Sequence, residues 1–254
     1  MSDSPQYRQS VEKSHFLTLM DSLENDNVYR ILSQEGTQLN STCVMNLLYL
    51  LADVSGYQPD ELFIVDSLST ELFMQRQAAS LDNDKRYIQQ LARSVSNGMK
   101  MTRSKSRGFL LMPLFSRFAP LGSPTDRPSG GHWSLLAFSG LDGDWYHFDS
   151  IDNCHNDYVI RLFQQIQQSA NVDPSNDGQS RLTTFEGAIR QRGSWQCGLF
   201  LLMYAFILLH FQAQEMSPPS QLNDYLDFMI DKVSDVNRKN FTRKLMLRLK
   251  NLRK

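Results

Sequence analysis

The residue in this chain best placed to act as a nucleophile is Cys197. It is followed by Gly198 and by an eleven-residue apolar run, Leu199 to Leu209. That run reads as a buried helix, which puts the thiol at a helix N-terminus. Unpaired N–H groups and the helix dipole there favour thiolate over thiol. The glycine beside it lets a substrate backbone come close. A thiolate that attacks a carbonyl needs a base, and His132 and Asp149 are candidates for an imidazole and the carboxylate that orients it. They flank two strand-like segments, Trp133–Phe138 and Trp145–Phe148, joined by the turn signal Ser139-Gly140-Leu141-Asp142-Gly143-Asp144. A hairpin follows from that pattern. A four-residue loop at Ser139–Asp142 sets His132 directly opposite Asp149, with Cβ atoms about 5 Å apart. A two-residue turn at Asp142-Gly143 sets His132 opposite Asn153 instead, and both registers stay open. Gln191 and the Cys197 N–H complete the set as donors to a developing oxyanion. The expectation is a Cys-His-Asp acyl-transfer site.

Elements of both kinds must position these groups. Helical spacing of apolar residues marks Glu12–Leu23, Ser41–Leu51 (with Ser41 or Thr42 as N-cap) and Asp82–Val95, where Tyr87, Ile88, Leu91 and Val95 share a face. Leu62–Val65, Gly108–Leu114 and Arg181–Phe185 have strand length and character. Ala119–Gly131 holds three of the nine prolines and reads as a surface loop, as does the polar stretch Asn171–Ser180. Tyr158–Gln168, Gly198–Phe211, Leu222–Val233 and Phe241–Leu252 read as helices. Helices, then strands, then helices predict an α+β fold. The expected organisation is a flexible N-terminus over 1–15, a single catalytic domain over 16–235 and a basic amphipathic helix over 236–254.

Composition narrows the function classes. With 254 residues, 41% hydrophobic and 21% charged, the chain can bury a sizeable core and is not disordered throughout. Its 26 basic and 27 acidic residues exclude a general polyanion binder. Eight of the basic residues, and no acidic ones, lie between Arg238 and Lys254, leaving the remainder at 18 basic against 27 acidic. The terminal cluster suits a packed helix with a solvated basic face, nuclear targeting, an anionic membrane surface or nucleic acid. Three cysteines are too few for a disulfide framework and point to a reducing, intracellular compartment, cytoplasm or nucleus. The opening thirty residues carry no signal-peptide pattern, and the longest apolar run falls short of the about 20 residues a membrane span needs. Cys154 and His155, with Asp152 and Asp157 nearby, lack a second ligand pair at zinc spacing, so no metal and no cofactor is expected. His147, His155 and His210 receive no role.

Taken together, three blocks resemble the ubiquitin-like-protein proteases, the cysteine proteases that process SUMO and related modifiers. They are Gly131-His132-Trp133-Ser134-Leu135-Leu136, Tyr146-His147-Phe148-Asp149-Ser150, and Gln191 followed by Trp195-Gln196-Cys197-Gly198-Leu199-Phe200. The order His, Asp, Gln, Cys matches, as do the seventeen residues from His132 to Asp149 and the six from Gln191 to Cys197. Leu39-Asn40 before an apolar helix is similar to that family's Trp-Leu-Asn-Asp segment. The glycines before His132 and the long loop preceding them are closest in character to the deneddylase branch. Divergent relatives include bacterial effectors delivered to the host cytosol.

The resemblance implies a papain-like-clan fold with a small central mixed sheet flanked by helices. It implies cleavage after the C-terminal Gly-Gly of a ubiquitin-like modifier, of Nedd type, SUMO or ubiquitin, with that modifier and its conjugates as partners. His132 would be the base, Asp149 its orienter, Cys197 the nucleophile and Gln191 the oxyanion donor. Trp133 would cover a narrow channel for the glycine tail, with Gln38, Leu39, Asn40 and Trp195 as further substrate-binding positions. Gln38 stands where the family has tryptophan, Ser41 where it has aspartate, Gly193 where it has asparagine and Gln196 where it has aspartate. Two other readings use the same residues: an acetyltransferase carrying acetyl groups on Cys197, and an inactive modifier-binding module.

Overall fold

The computed structural model describes residues 38–58, 60–78, 85–103, 105, 108–116, 131–151, 154–169, 180–185, 191 and 196–213. The helices expected over Glu12–Leu23, Leu222–Val233 and Phe241–Leu252 lie outside these residues, as does most of the loops at 119–131 and 171–180.

In chain order the described elements are α1 (Ser41–Val54), β1 (Leu62–Ile64), α2 (Ser67–Ala78), α3 (Lys85–Arg103), β2 (Phe109–Ser116), β3 (His132–Ser139), β4 (Trp145–Phe148), α4 (Asn156–Ser169), β5 (Leu182–Phe185) and α5 (Cys197–Ala213). The five strands form one sheet in the order β1-β2-β3-β4-β5. The β2–β3 and β3–β4 pairs are antiparallel, whereas β1 runs parallel to β2 and β5 parallel to β4. The fold is α+β with a small mixed sheet, as the sequence implied.

Helices cover both faces, and the two-residue period of the strands sorts side chains between two cores. Phe109, Leu111, Trp133, Leu135, Ala137, Tyr146 and Phe148 pack with α1 and α5. Leu110, Met112, Leu114, Leu136, Phe138 and Trp145 pack with α2, α3 and α4. With both faces covered, β3 is buried along its whole length, which explains its near-continuous apolar sequence. Helix α5 is apolar on every side because it is buried on nearly every side, from Cys197 to Leu209.

Several local expectations shift. The N-cap of α1 is Asn40, not Ser41 or Thr42: its side chain accepts from Cys43 N at 2.9 Å. Helix α2 was not anticipated. Asp66 opens it, accepting from Ser69 N at 3.2 Å, and Phe73 and Met74 anchor it in the core. Helix α3 runs on to Arg103, with Leu91, Val95 and Met99 buried along one face.

Neither expected hairpin register is the observed one. Leu135 pairs with Phe148 and Phe138 with Trp145, which continues to Ser139 opposite Asp144. The loop is Gly140-Leu141-Asp142-Gly143, closed by Gly143 N donating to Ser139 O at 2.9 Å, with Gly143 at φ +76°. A left-handed residue at that point is what a glycine supplies without strain. The two expected registers and the observed one differ by two-residue slips. Such a slip leaves every side chain on its own face, so the hydrophobic pattern cannot choose among them.

Candidate active site

The observed register puts Asp149 level with Ser134 rather than with His132. His132 and Ser134 lie on the same face of β3, so Asp149, one residue past the end of β4, meets His132 diagonally. The contact is short: His132 Nε2 to Asp149 Oδ1 is 2.5 Å, with both side chains buried. Asp149 is fixed on its other sides by backbone, accepting from Ile151 N at 2.9 Å and His155 N at 3.1 Å. Burial pushes its carboxyl up, but the His132 ring, and then the His155 and His147 rings, outweigh it and hold the carboxyl well below the usual carboxylate range.

Using Nε2 for the carboxylate leaves Nδ1 of His132, which is buried without a hydrogen bond of normal geometry. Cys197, fully buried as the first residue of α5, still couples to this ring, close enough to interact yet short of a well-formed bond. Burial alone would pull His132 down. Asp149, and then Cys197, overcome it and raise the imidazole to about 9. Burial likewise pushes the thiol up. His132, the Trp133 backbone N–H and the Gln38 amide outweigh it and bring Cys197 below its ordinary value. Each group therefore favours the charged form of the other.

The other expected positions fall out unevenly. Gln191 is anchored next to Asp149: Ser150 Oγ donates to Gln191 Oε1 at 2.7 Å, and Gln191 N donates to Ser150 O at 3.1 Å. Holding the amide oxygen this way defines Nε2 as its donor end. Trp133 is only 1% exposed. Its indole N–H donates to Leu39 O at 2.9 Å and its ring packs on Phe115 with centroids 4.5 Å apart. In this state Trp133 ties β3 to the segment before α1 and is not an open lid. Leu39 is buried against the start of α5, where a Cβ added to Gly198 would lie 3.0 Å from Leu39 Cβ. Asn40 is spent on capping α1. Gln38 Nε2 donates to Gly131 O and reaches Cys197 Sγ at 3.5 Å. Trp195 lies outside the described residues.

Two histidines that received no role form a buried layer behind the pair. His147 Nδ1 lies 3.1 Å from Asn156 Oδ1, and its Nε2 lies 3.2 Å from Ser134 Oγ. Ser134 Oγ also meets His155 Nδ1 at 2.7 Å, and His155 Nε2 meets Ser116 Oγ at 2.8 Å. One set of protons satisfies this chain. His147 Nδ1–H donates to Asn156, Ser134 donates to His147, His155 Nδ1–H donates to Ser134, and Ser116 donates to His155. Complete burial pushes His147 down to about 4, so it is neutral, as that arrangement requires. The layer supports the site directly, since His155 N holds Asp149 and the His155 ring lies 4.8 Å from that of His132. The only sequence signal was parity: His147 alternates with Tyr146 and Phe148, so it had to enter the second core.

His132, Asp149 and His155 also bring ligand atoms within 4.8 Å of one another, the spacing of a metal cluster. The donors are committed elsewhere: Asp149 holds Nε2 of His132, and serines hold both ring nitrogens of His155. These residues fit a hydrogen-bonded network better than a metal centre. None of the three cysteines is in a disulfide, and all are buried. Among the described residues, no helix is long and apolar enough to cross a membrane.

Sheet, helix-borne thiol and paired imidazole are those of a cysteine protease domain. The sequence profile of the Ulp1 protease family, C-terminal catalytic domain, matches residues 39–244, and the chain belongs to that family. No curated protein matches it by sequence. Among solved structures it is similar to a de-sumoylating protease, with TM-score 0.55 and 13% identity over 89% of this chain and 85% of that one. It is also similar to the SUMO protease Ulp1 with its catalytic cysteine oxidised to a sulfinic acid, with TM-score 0.51 and 12% identity over 93% and 96%. At such identities the likeness bears on the fold.

Proposed function

We propose that this domain cleaves the bond after the C-terminal Gly-Gly of a ubiquitin-like modifier through an acyl-enzyme on Cys197. The observation that carries this reading is the buried Cys197–His132–Asp149 arrangement, with the thiol lowered and the imidazole raised, in a Ulp1-family domain. The Cys197 thiolate attacks the terminal glycine carbonyl carbon. A C–S bond forms and the carbonyl π pair moves to oxygen, where Gln191 Nε2 and the Cys197 N–H serve as donors. Collapse of the intermediate breaks the C–N bond, and the leaving amine takes the proton from His132 Nδ1. Neutral His132 then accepts a proton from water, whose oxygen displaces the sulfur. The modifier leaves as a carboxylic acid that gives its proton to solvent, and the thiolate–imidazolium pair returns. Asp149 stays ionised throughout and keeps Nδ1 turned toward the sulfur.

The glycine tail passes Gln38 and Leu39, which abut the start of α5. Within the modifier class, the Gly130-Gly131-His132-Trp133-Ser134 block supports one of Nedd type. The test is a panel of SUMO, Nedd-type and ubiquitin probes carrying an electrophile in place of the C-terminal carboxylate. At least one should form a covalent adduct with the wild type, and Cys197→Ala should form none. An adduct that survives in Cys197→Ala would sink the mechanism, and failure of every probe would sink the substrate class.

A further inference from the structure

Gln38 occupies the place where relatives carry an aromatic wall, yet its side chain points at the nucleophile. Its Nε2 donates to Gly131 O and lies 3.5 Å from Cys197 Sγ. The amide could not sit the other way round. Turning it would set Oε1 against the Gly131 carbonyl oxygen, two acceptors facing each other. The Gly131 carbonyl therefore fixes an N–H toward the sulfur.

The backbone that follows Gln38 is held as firmly. Leu39 O accepts from the Trp133 indole at 2.9 Å, the Leu39 side chain fills the space beside Gly198, and Asn40 caps α1. A donor fixed by three separate anchors has little to lose in ordering when the sulfur becomes charged. We propose that Gln38 is a further catalytic residue, an amide donor that stabilises the Cys197 thiolate and takes over a position its relatives use as an apolar wall. This rests on Cys197 being the nucleophile. The titratable groups around that sulfur are His132 on β3, with Asp149 and His155 behind it, and Tyr204 further along α5; the substitutions below leave all of them in place.

The test is the pH dependence of Cys197 alkylation by iodoacetamide in the full chain, read by mass spectrometry of the Cys197 peptide. It compares wild type with Gln38→Met, which keeps the length and lacks the donor, and with Gln38→Glu, which puts a carboxylate against the sulfur. A hydrogen bond to a charged group supports roughly a tenfold change in thiolate population. The midpoint should rise by about one pH unit in Gln38→Met and further in Gln38→Glu, with the far-ultraviolet circular dichroism of the wild type retained. Unchanged or lowered midpoints in both folded variants would overturn the proposal. The assay needs no modifier, so it separates the two readings: probe adducts with unmoved midpoints refute Gln38 alone, and moved midpoints without adducts refute the substrate class alone.

Discussion

Asp149→Asn removes one charge from the centre of the site, and the structure sets the size of the consequence. Burial opposes a charged His132, yet the ring is held at about 9, chiefly by Asp149 and then by Cys197. Relative to an ordinary histidine this is a net preference for imidazolium of about 3 kcal/mol. An amide keeps the shape of the carboxylate and loses its charge. Burial then dominates, and His132 becomes neutral at pH 7. The thiolate loses its counter-charge in the same step, so turnover should fall roughly a hundredfold or more. The asparagine also cannot serve all its neighbours. Asp149 accepts from the His132 ring and Ile151 N on one oxygen and from His155 N on the other, whereas an amide has one acceptor end. Stability should fall too, by roughly 1–3 kcal/mol.

The assay must therefore separate chemistry from folding. A fluorogenic C-terminal amide of the modifier would be used to follow kcat/KM from about pH 5 to about pH 10, with rates corrected for the folded fraction. The wild type should lose activity as pH rises through about 9, where His132 gives up its proton. In Asp149→Asn that alkaline limb should move below neutrality. Partial unfolding lowers a rate without moving such a limb. If kcat/KM stays within about threefold of wild type and the limb stays near 9, Asp149 does not set the charge of His132 and the reasoning fails.

Two further outcomes are expected. His147 is held at about 4 by burial, below an unfolded value of about 6.5, so the unfolded chain takes up its proton first. Stability should fall by roughly 3 kcal/mol as pH drops across that window; urea unfolding should show a shallower acid loss in His147→Gln, and identical slopes would contradict the burial argument. Trp133→Ala should cost roughly 3–5 kcal/mol in urea unfolding, because it empties a buried site and orphans the Leu39 carbonyl; a loss below about 1 kcal/mol would mean that the indole serves substrate and not the fold.

Much of the candidate site could be read from residue order and type. Cys197 before an all-apolar helix needs no tertiary knowledge, because eleven consecutive apolar residues can only be buried and the glycine marks where the helix begins. His132 and Asp149 at the rims of two strands follow in the same way, and so does the α+β class, from helical and alternating periods along one chain. What stayed hidden depends on distances between segments. The hairpin register was invisible because slips of two residues preserve every face, and only the hydrogen bonds of the Gly140–Gly143 loop distinguish them. The histidine layer needed the turn into α4 to deliver His155 and Asn156 beneath β3 and β4. Gln38 is 159 residues from Cys197, and no local preference of either segment encodes their meeting. It arises because α1 and α5 pack on one face of the sheet, and Leu39 fits only where Gly198 leaves room for it. Periodicity reports which face a residue turns to the core, whereas side-chain volume packed across the sheet decides which residue it finds there.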